Sequence, residues 1–182
     1  MELKIQFGKF KGKRLKYSKD HQARPSLARA RDVLFNWLYR CDDKKCLDLF
    51  AGSGILGLEA FSLGAKAITF IDLSPLHVKG IKDQIKLFSD SSFLECHQSD
   101  AFDWLKTNSE KFDIIFLDPP FHQGLINKVL SDANFLKALH HDTLIYLEAE
   151  KGWMPPSENW RIIKQKNISE VSIYLVALAV HE

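Results

Sequence analysis

The chain of 182 residues has few cysteines: Cys41, Cys46 and Cys96 are the full set, and none belongs to a Cys-x-x-Cys pair. An odd, scattered set argues against a disulfide framework or a zinc site, and the thiols are expected to be inert and buried. His140 and His141 are adjacent and so point apart on a helix or a strand, and no metal site is expected. Also missing is any apolar run near the ~18 residues of a membrane span. Residues 1–6 lack the charged-then-apolar pattern of a leader, so the expectation is a cytoplasmic chain with no membrane partner. No internal repeat, low-complexity tract or heptad seam is present, which leaves a monomer as the expectation.

A composition of 46% hydrophobic and 26% charged residues is that of a folded soluble domain rather than a disordered chain. The net charge of +2 hides an asymmetry. Residues 1–40 carry 11 Lys/Arg against 3 Asp/Glu, a net +8, whereas the other 142 carry 14 against 20, a net −6. A basic lobe on a mildly acidic body suits a protein that grips phosphates at one end and does chemistry at the other.

Within that lobe, Gly8 and Gly12 punctuate Lys9, Phe10, Lys11, Lys13 and Arg14, which predicts a basic β-hairpin or extended arm with exposed aromatics. The domain division expected is residues 1–25 for this arm and 26–182 for the main domain. Arg24-Pro25 stops any regular element, and Ser26 is the expected N-cap of a helix whose core stripe is Leu27, Ala30, Val33, Leu34, Trp37 and Leu38. Arg29 and Arg31 fall off that stripe and are expected to face solvent or a partner.

From residue 45 the pattern alternates. Strands are predicted at 46–50, 67–71, 93–97, 112–117 and 143–148, with helices at 55–63, 76–88, 101–106 and 123–139 between them. Such alternation predicts an α/β fold, a mostly parallel sheet covered by helices on both faces. Gly152, Pro155 and Pro156 then break the rhythm, and the closely spaced apolar segments 160–168 and 171–180 predict an antiparallel hairpin at the edge of a seven-stranded sheet.

Two motifs carry the chemistry. Asp48-Leu49-Phe50-Ala51-Gly52-Ser53-Gly54 leaves the first of these strands and enters a helix that holds Gly57, the arrangement of a nucleotide loop. Asp72 lies twenty residues beyond Gly52 at the end of the next strand, where a carboxylate can accept from ribose hydroxyls or cap the helix that follows. Asp100 can accept from an adenine amino group, cap the helix beginning at Ala101, or do both. A dinucleotide and S-adenosylmethionine share adenosine, so this loop alone fits either.

The second motif is Asp118-Pro119-Pro120-Phe121, at the end of the apolar run 112–117. Two prolines fix φ and supply no N–H, which leaves a rigid turn offering carbonyl oxygens and a carboxylate. An exocyclic base amine is a poor nucleophile because its lone pair is delocalised into the ring. Accepting both of its hydrogens, on Asp118 and the Pro119 carbonyl, localises that pair, while Phe121 offers a flat surface on which a base stacks for ~1–3 kcal/mol.

Taken together, these motifs resemble those of the bacterial 16S ribosomal RNA guanine-N2 methyltransferases of RsmD type. The likeness runs through Gly8-Lys9-Phe10-Lys11-Gly12-Lys13-Arg14-Leu15, then Arg24-Pro25-Ser26, Arg29-Ala30-Arg31-Asp32, the loop 48–57 and the turn 118–121. It implies a Rossmann-like class I fold and transfer of a methyl group from S-adenosylmethionine to N2 of one guanine, with 16S RNA met in the small subunit or an assembly intermediate. It further implies cofactor contacts from Asp48, Phe50, Ala51, Gly52, Ser53, Gly54, Gly57, Asp72, Leu73, Asp100, Ala101 and Asp118. RNA contacts are implied for Lys9, Lys11, Lys13, Arg14, Arg24, Arg29 and Arg31, and catalytic roles for Asp118, Pro119, Pro120 and Phe121. The alternatives are a DNA adenine-N6 or cytosine-N4 methyltransferase, an NAD-dependent oxidoreductase, and a non-catalytic RNA-binding assembly factor.

Overall fold

Seven strands form one sheet, in the spatial order Leu94–Gln98, Ala67–Asp72, Lys45–Asp48, Phe112–Leu117, Leu139–Glu150, Val171–Leu178 and Trp160–Ile168. The computed structural model describes residues 2–16, 25–89, 91–156 and 158–179. Five strands run parallel: β3 (Lys45–Asp48), β4 (Ala67–Asp72), β5 (Leu94–Gln98), β6 (Phe112–Leu117) and β7 (Leu139–Glu150). The last two, β8 (Trp160–Ile168) and β9 (Val171–Leu178), make the antiparallel hairpin, and β9 inserts between β7 and β8. This is the α/β sheet that the alternating pattern predicts, closed by the terminal hairpin.

The crossovers are helices α2 (Ile55–Ser62), α3 (Pro75–Ile85), α4 (Ala101–Thr107), and the pair α5 (Leu125–Leu130) and α6 (Ala133–Lys137). Because helices cover both faces, the central strands read as unbroken apolar runs rather than alternating ones. On one face Cys46, Phe70, Phe116 and Tyr146 join Leu34, Phe35, Leu58 and Ile81 in a core. On the other, Leu47, Ile115 and Leu117 join Leu105, Val129 and Phe135. Chain direction diverges between β3 and β6, so the loops after them open a crevice at the carboxyl edge of the sheet, where open α/β folds bind ligands.

Residues 123–139 do not form one helix. They form α5 and α6, because the Asp132 carboxylate accepts from the N–H groups of Asn134 and Phe135 at 2.7 and 3.0 Å and starts a new helix there. Helix α1 (Pro25–Leu38) starts at proline, whose missing N–H costs nothing in a first turn, so Ser26 lies inside the helix rather than capping it. Of the stripe on α1, Ala30 and Leu34 are buried beside Phe35, and Val33, Trp37 and Leu38 pack against them, while the Leu27 side chain lies outside what the structure describes.

The basic N-terminal segment pairs β1 (Glu2–Lys4) with β2 (Arg14–Lys16), and its aromatics are not exposed. Ile5 and Leu15 are 1% exposed, Phe7 lies 6.0 Å from Phe35, and Phe10 stacks on Phe61 at 5.7 Å. Helix α2 also holds the connecting loop through polar groups. Glu59 accepts from the N–H groups of Gln6 and Phe7 at 2.8 and 3.1 Å, while Ser62 receives those of Lys9, on its carbonyl, and Phe10, on its hydroxyl. Gly8 has φ +73°, and a Cβ there would sit 1.9 Å from the Ser62 carbonyl oxygen, so only glycine lets the loop come so close. Among the described residues, no helix is long and apolar enough to cross a membrane.

Candidate active site

At the carboxyl end of β3 the chain turns through Phe50 to Gly54, with Gly52 and Gly54 both in the left-handed region at φ 53° and 74°. Asp72, at the end of β4, clamps this turn: one carboxylate oxygen accepts from the Gly52 N–H at 2.7 Å, and the other from the Ser74 N–H at 2.8 Å. The His77 ring nitrogen lies 3.1 Å from the same second oxygen. Asp72 therefore does not cap α3; the Ser74 hydroxyl does, accepting from the His77 N–H. A ribose would have to share Asp72 with these donors, using the lone pairs they leave.

Beneath the turn, buried Asp48 accepts from the Gly57 N–H at 3.1 Å inside the first turns of α2. Burial pushes its carboxyl up to about 7, the Gly57 hydrogen bond opposes that rise, and the negative fields of Asp118 and Asp72 reinforce it. Helix α2 begins at the left-handed Gly54, which has no side chain to cap it, and its first N–H groups reach instead to Ser53 Oγ, from Ile55 at 3.4 Å, and to Asp48, from Gly57. Gly57 lets α2 lie close on β4: a Cβ there would approach the Phe70 ring to 2.3 Å.

The other walls come from β4 and β5. Leu73 is 67% exposed beside Asp72, an apolar side chain presented at the rim. Asp100 caps α4 through one oxygen, which receives the Phe102 and Asp103 N–H groups at 2.8 and 3.2 Å, and Ala101 is buried behind it. Its second oxygen has no protein donor among the described residues, so capping and ligand binding are compatible at this side chain. Left-handed glycines, the start of a helix, an acid on each of two strand ends and an apolar rim make a cradle that suits an adenosine-bearing molecule.

Across the crevice, β6 delivers Asp118, with Pro119 buried and Pro120 exposed. Burial raises the Asp118 carboxyl to about 6, and the neighbouring Glu148 carboxyl of β7 opposes that rise. Phe121 is half-buried and packs on the core through part of its ring. The turn is tied down after it: His122 has φ 62°, its N–H donates to Glu150, and its ring nitrogen lies 3.1 Å from the same carboxylate. Beside the turn is a cleft of about 190 Å³ lined by residues including Pro119, Pro120, Phe121, Asn127, Glu150 and Trp153. Trp153 is fixed there by its indole N–H, which donates to Asn127 Oδ1 at 3.1 Å.

The glycine loop and the proline turn thus come together, on adjacent strands β3 and β6. The cations of the N-terminal lobe are more mixed. Lys9, Lys11 and Arg14 are exposed. Lys13 instead donates to the Leu87 carbonyl and lies over the Phe88 ring at 4.4 Å, which makes it a strut between the hairpin and the end of α3. Arg29 is exposed, but Arg31 is 6% exposed, contrary to the expectation that it faces solvent. Its Nε donates to Gln6 at 2.9 Å and pairs with Glu59 at 3.5 Å, because the buried carboxylate needs a cation. Arg24 lies outside the described residues. Glu59 and Glu148 belong to no motif, yet an acid inside an otherwise apolar helix or strand is a readable signal for both.

The model of the family described as Conserved hypothetical protein 95 matches residues 3–177. A relative from Haemophilus influenzae, "Ribosomal RNA small subunit methyltransferase D", is 37% identical, with 96% of this chain and 93% of the relative aligned. Among solved structures, a candidate methyltransferase of Escherichia coli superimposes with a TM-score of 0.84 at 29% identity, covering both chains fully. A candidate methylase of Haemophilus influenzae gives 0.82 at 34% identity, over 97% of this chain and 98% of its own.

Proposed function

The chain belongs to the Conserved hypothetical protein 95 family, which it shares with the small-subunit ribosomal RNA methyltransferases of D type, and from that premise we propose that it methylates ribosomal RNA using S-adenosylmethionine. The finer reading is transfer to the exocyclic N2 of a guanine in 16S RNA, met as part of the small subunit or an assembly intermediate. The observation that carries it is the juxtaposition at the switch point: the glycine cradle after β3 beside the Asp118-Pro119-Pro120-Phe121 turn after β6.

Residues of the cradle hold the donor: Asp72 and Leu73 at the ribose and adenine side, Asp100 through its unused oxygen, and the loop 50–54 along the rest. When bound, S-adenosylmethionine supplies an electrophilic methyl group on a cationic sulfur. The chain supplies orientation. Asp118 accepts one amine hydrogen and a carbonyl of the proline turn the other, which localises the nitrogen lone pair and aims it. Because Pro119 and Pro120 supply no N–H, the middle of the turn presents carbonyl oxygens and no donor that would compete for that lone pair. Phe121 presents its exposed part to the base, and the exposed cations Lys9, Lys11, Arg14 and Arg29 meet the phosphates.

Label transfer from S-adenosylmethionine carrying a radioactive methyl group tests this, with naked 16S RNA, small subunits and duplex DNA as parallel acceptors and nucleoside analysis of the product. N2-methylguanosine in RNA is expected. Label on adenine N6 or cytosine N4 of DNA would replace the reading with the DNA alternative. Asp118→Ala should lower turnover by about 10²–10³-fold, the scale of one preorganised polar group, while S-adenosylhomocysteine binding stays within threefold.

A further inference from the structure

Glu148 has no part in the reaction just described, yet it is 3% exposed at the carboxyl end of β7, one strand from the turn. Leu117 and Leu147 are register partners, so Asp118 and Glu148 are the next residues on neighbouring parallel strands, on the same face. One Glu148 oxygen is 3.4 Å from the Tyr146 hydroxyl, and the other is buried with no donor among the described residues. An ionised carboxylate only accepts, so two carboxylates cannot satisfy each other. A proton between them removes both the orphan and the repulsion.

We propose that Glu148 and Asp118 form a one-proton carboxyl pair, in which Glu148 donates to Asp118 and acts as the positioning residue that holds it toward the amine. The groups facing Glu148 agree. Asp118 of β6 is anionic, Tyr146 of the same strand is buried and neutral, and Ile173 of β9 is apolar. Among the described residues the one buried Lys or Arg is Arg31, which is paired with Glu59. Burial and the negative field of Asp118 both push the Glu148 carboxyl well above its ordinary range, which leaves the proton on Glu148. Asp118 keeps its charge and its outward lone pairs for the substrate.

This inference rests on the methyl-transfer reading for its kinetic consequence but not for its spectroscopic one. Infrared difference spectra of wild type minus Glu148→Gln, at neutral pH and without cofactor or RNA, should contain a protonated-carboxyl band that is absent when both acids are replaced. Absence of that band in the folded wild type would overturn the pair, whatever the enzyme's activity. In methyl transfer, Glu148→Ala should lower kcat by about 10²-fold, the cost of misplacing a reacting partner, with KM for RNA changed less than threefold. Glu148→Gln keeps a donor and should stay within fivefold of wild type, and it should lose the alkaline fall in kcat that deprotonation of Glu148 produces. A Gln variant as impaired as Ala, or one with the wild-type alkaline limb, would overturn the positioning role. A band present in a protein that methylates no RNA would instead count against the proposed function alone.

Discussion

Glu59 accepts the Gln6 N–H at 2.8 Å across 53 positions of sequence, and so the basic hairpin is bolted to the helix whose other end starts the cofactor cradle. The same carboxylate serves Phe7 and Arg31. Because the Gln6 and Phe7 N–H groups are partly buried, removing their acceptor strands them.

Glu59→Ala should therefore destabilise the protein by about 3–5 kcal/mol, the cost of breaking a buried ion pair from one side. Glu59→Gln, which keeps an acceptor oxygen, should cost less. Urea unfolding measures the loss, and hydrogen exchange at the Gln6 and Phe7 amides should accelerate in Ala before the sheet does. Equal stability in wild type and Ala would show that these bonds contribute nothing.

Asp48 makes stability depend on pH. Its folded carboxyl sits at about 7 against an ordinary 3.8, so the folded state binds the proton more tightly than the unfolded chain. The sign follows: this stabilisation is complete below about pH 4 and is lost as pH rises toward about 7, at roughly 1.4 kcal/mol for each pH unit crossed. Asp48→Asn keeps an acceptor for Gly57 and cannot ionise. Relative to Asn, the wild-type protein without cofactor should lose stability between about pH 4.5 and about pH 7.5; parallel curves would mean that Asp48 titrates normally.

Gly57→Ala tests the packing of α2 on β4. Alanine is the better helix former by about 1 kcal/mol, yet its methyl would meet Phe70 at 2.3 Å and Ile68 at 2.8 Å. Overpacking of this kind costs about 1–3 kcal/mol, so the melting temperature should fall rather than rise. Weaker binding of S-adenosylhomocysteine, by calorimetry, should accompany it, since the glycine turn of the cradle ends three residues earlier at Gly54.

Lys11 and Lys13 should separate cleanly. Lys11 is exposed, and Lys11→Ala should reduce the slope of log binding constant against log salt for RNA by about one while leaving the melting temperature unchanged. Lys13 props the hairpin on Leu87 and Phe88, so Lys13→Ala should lower the melting temperature and slow-exchange protection of the hairpin. Filter binding over a salt series and calorimetry distinguish the two.

The sequence by itself determined the order of strands and helices, the terminal hairpin and the two motif loops, because periodicity, glycine and proline act locally. It could not set the break at Asp132, since a capping bond there competes with a continuous apolar pattern that looks helical throughout. Nor could it reveal that Arg31 turns inward, that Phe10 is covered, or that Asp72 clamps Gly52, because each depends on a partner 20 to 51 residues distant. The pairing of Asp118 with Glu148 is of the same kind: two acids thirty residues apart become neighbours only when β6 and β7 align in parallel. Local chemistry chose the elements, whereas desolvation of a few charged groups, which burial makes costly unless partnered, was decided only once the sheet had closed.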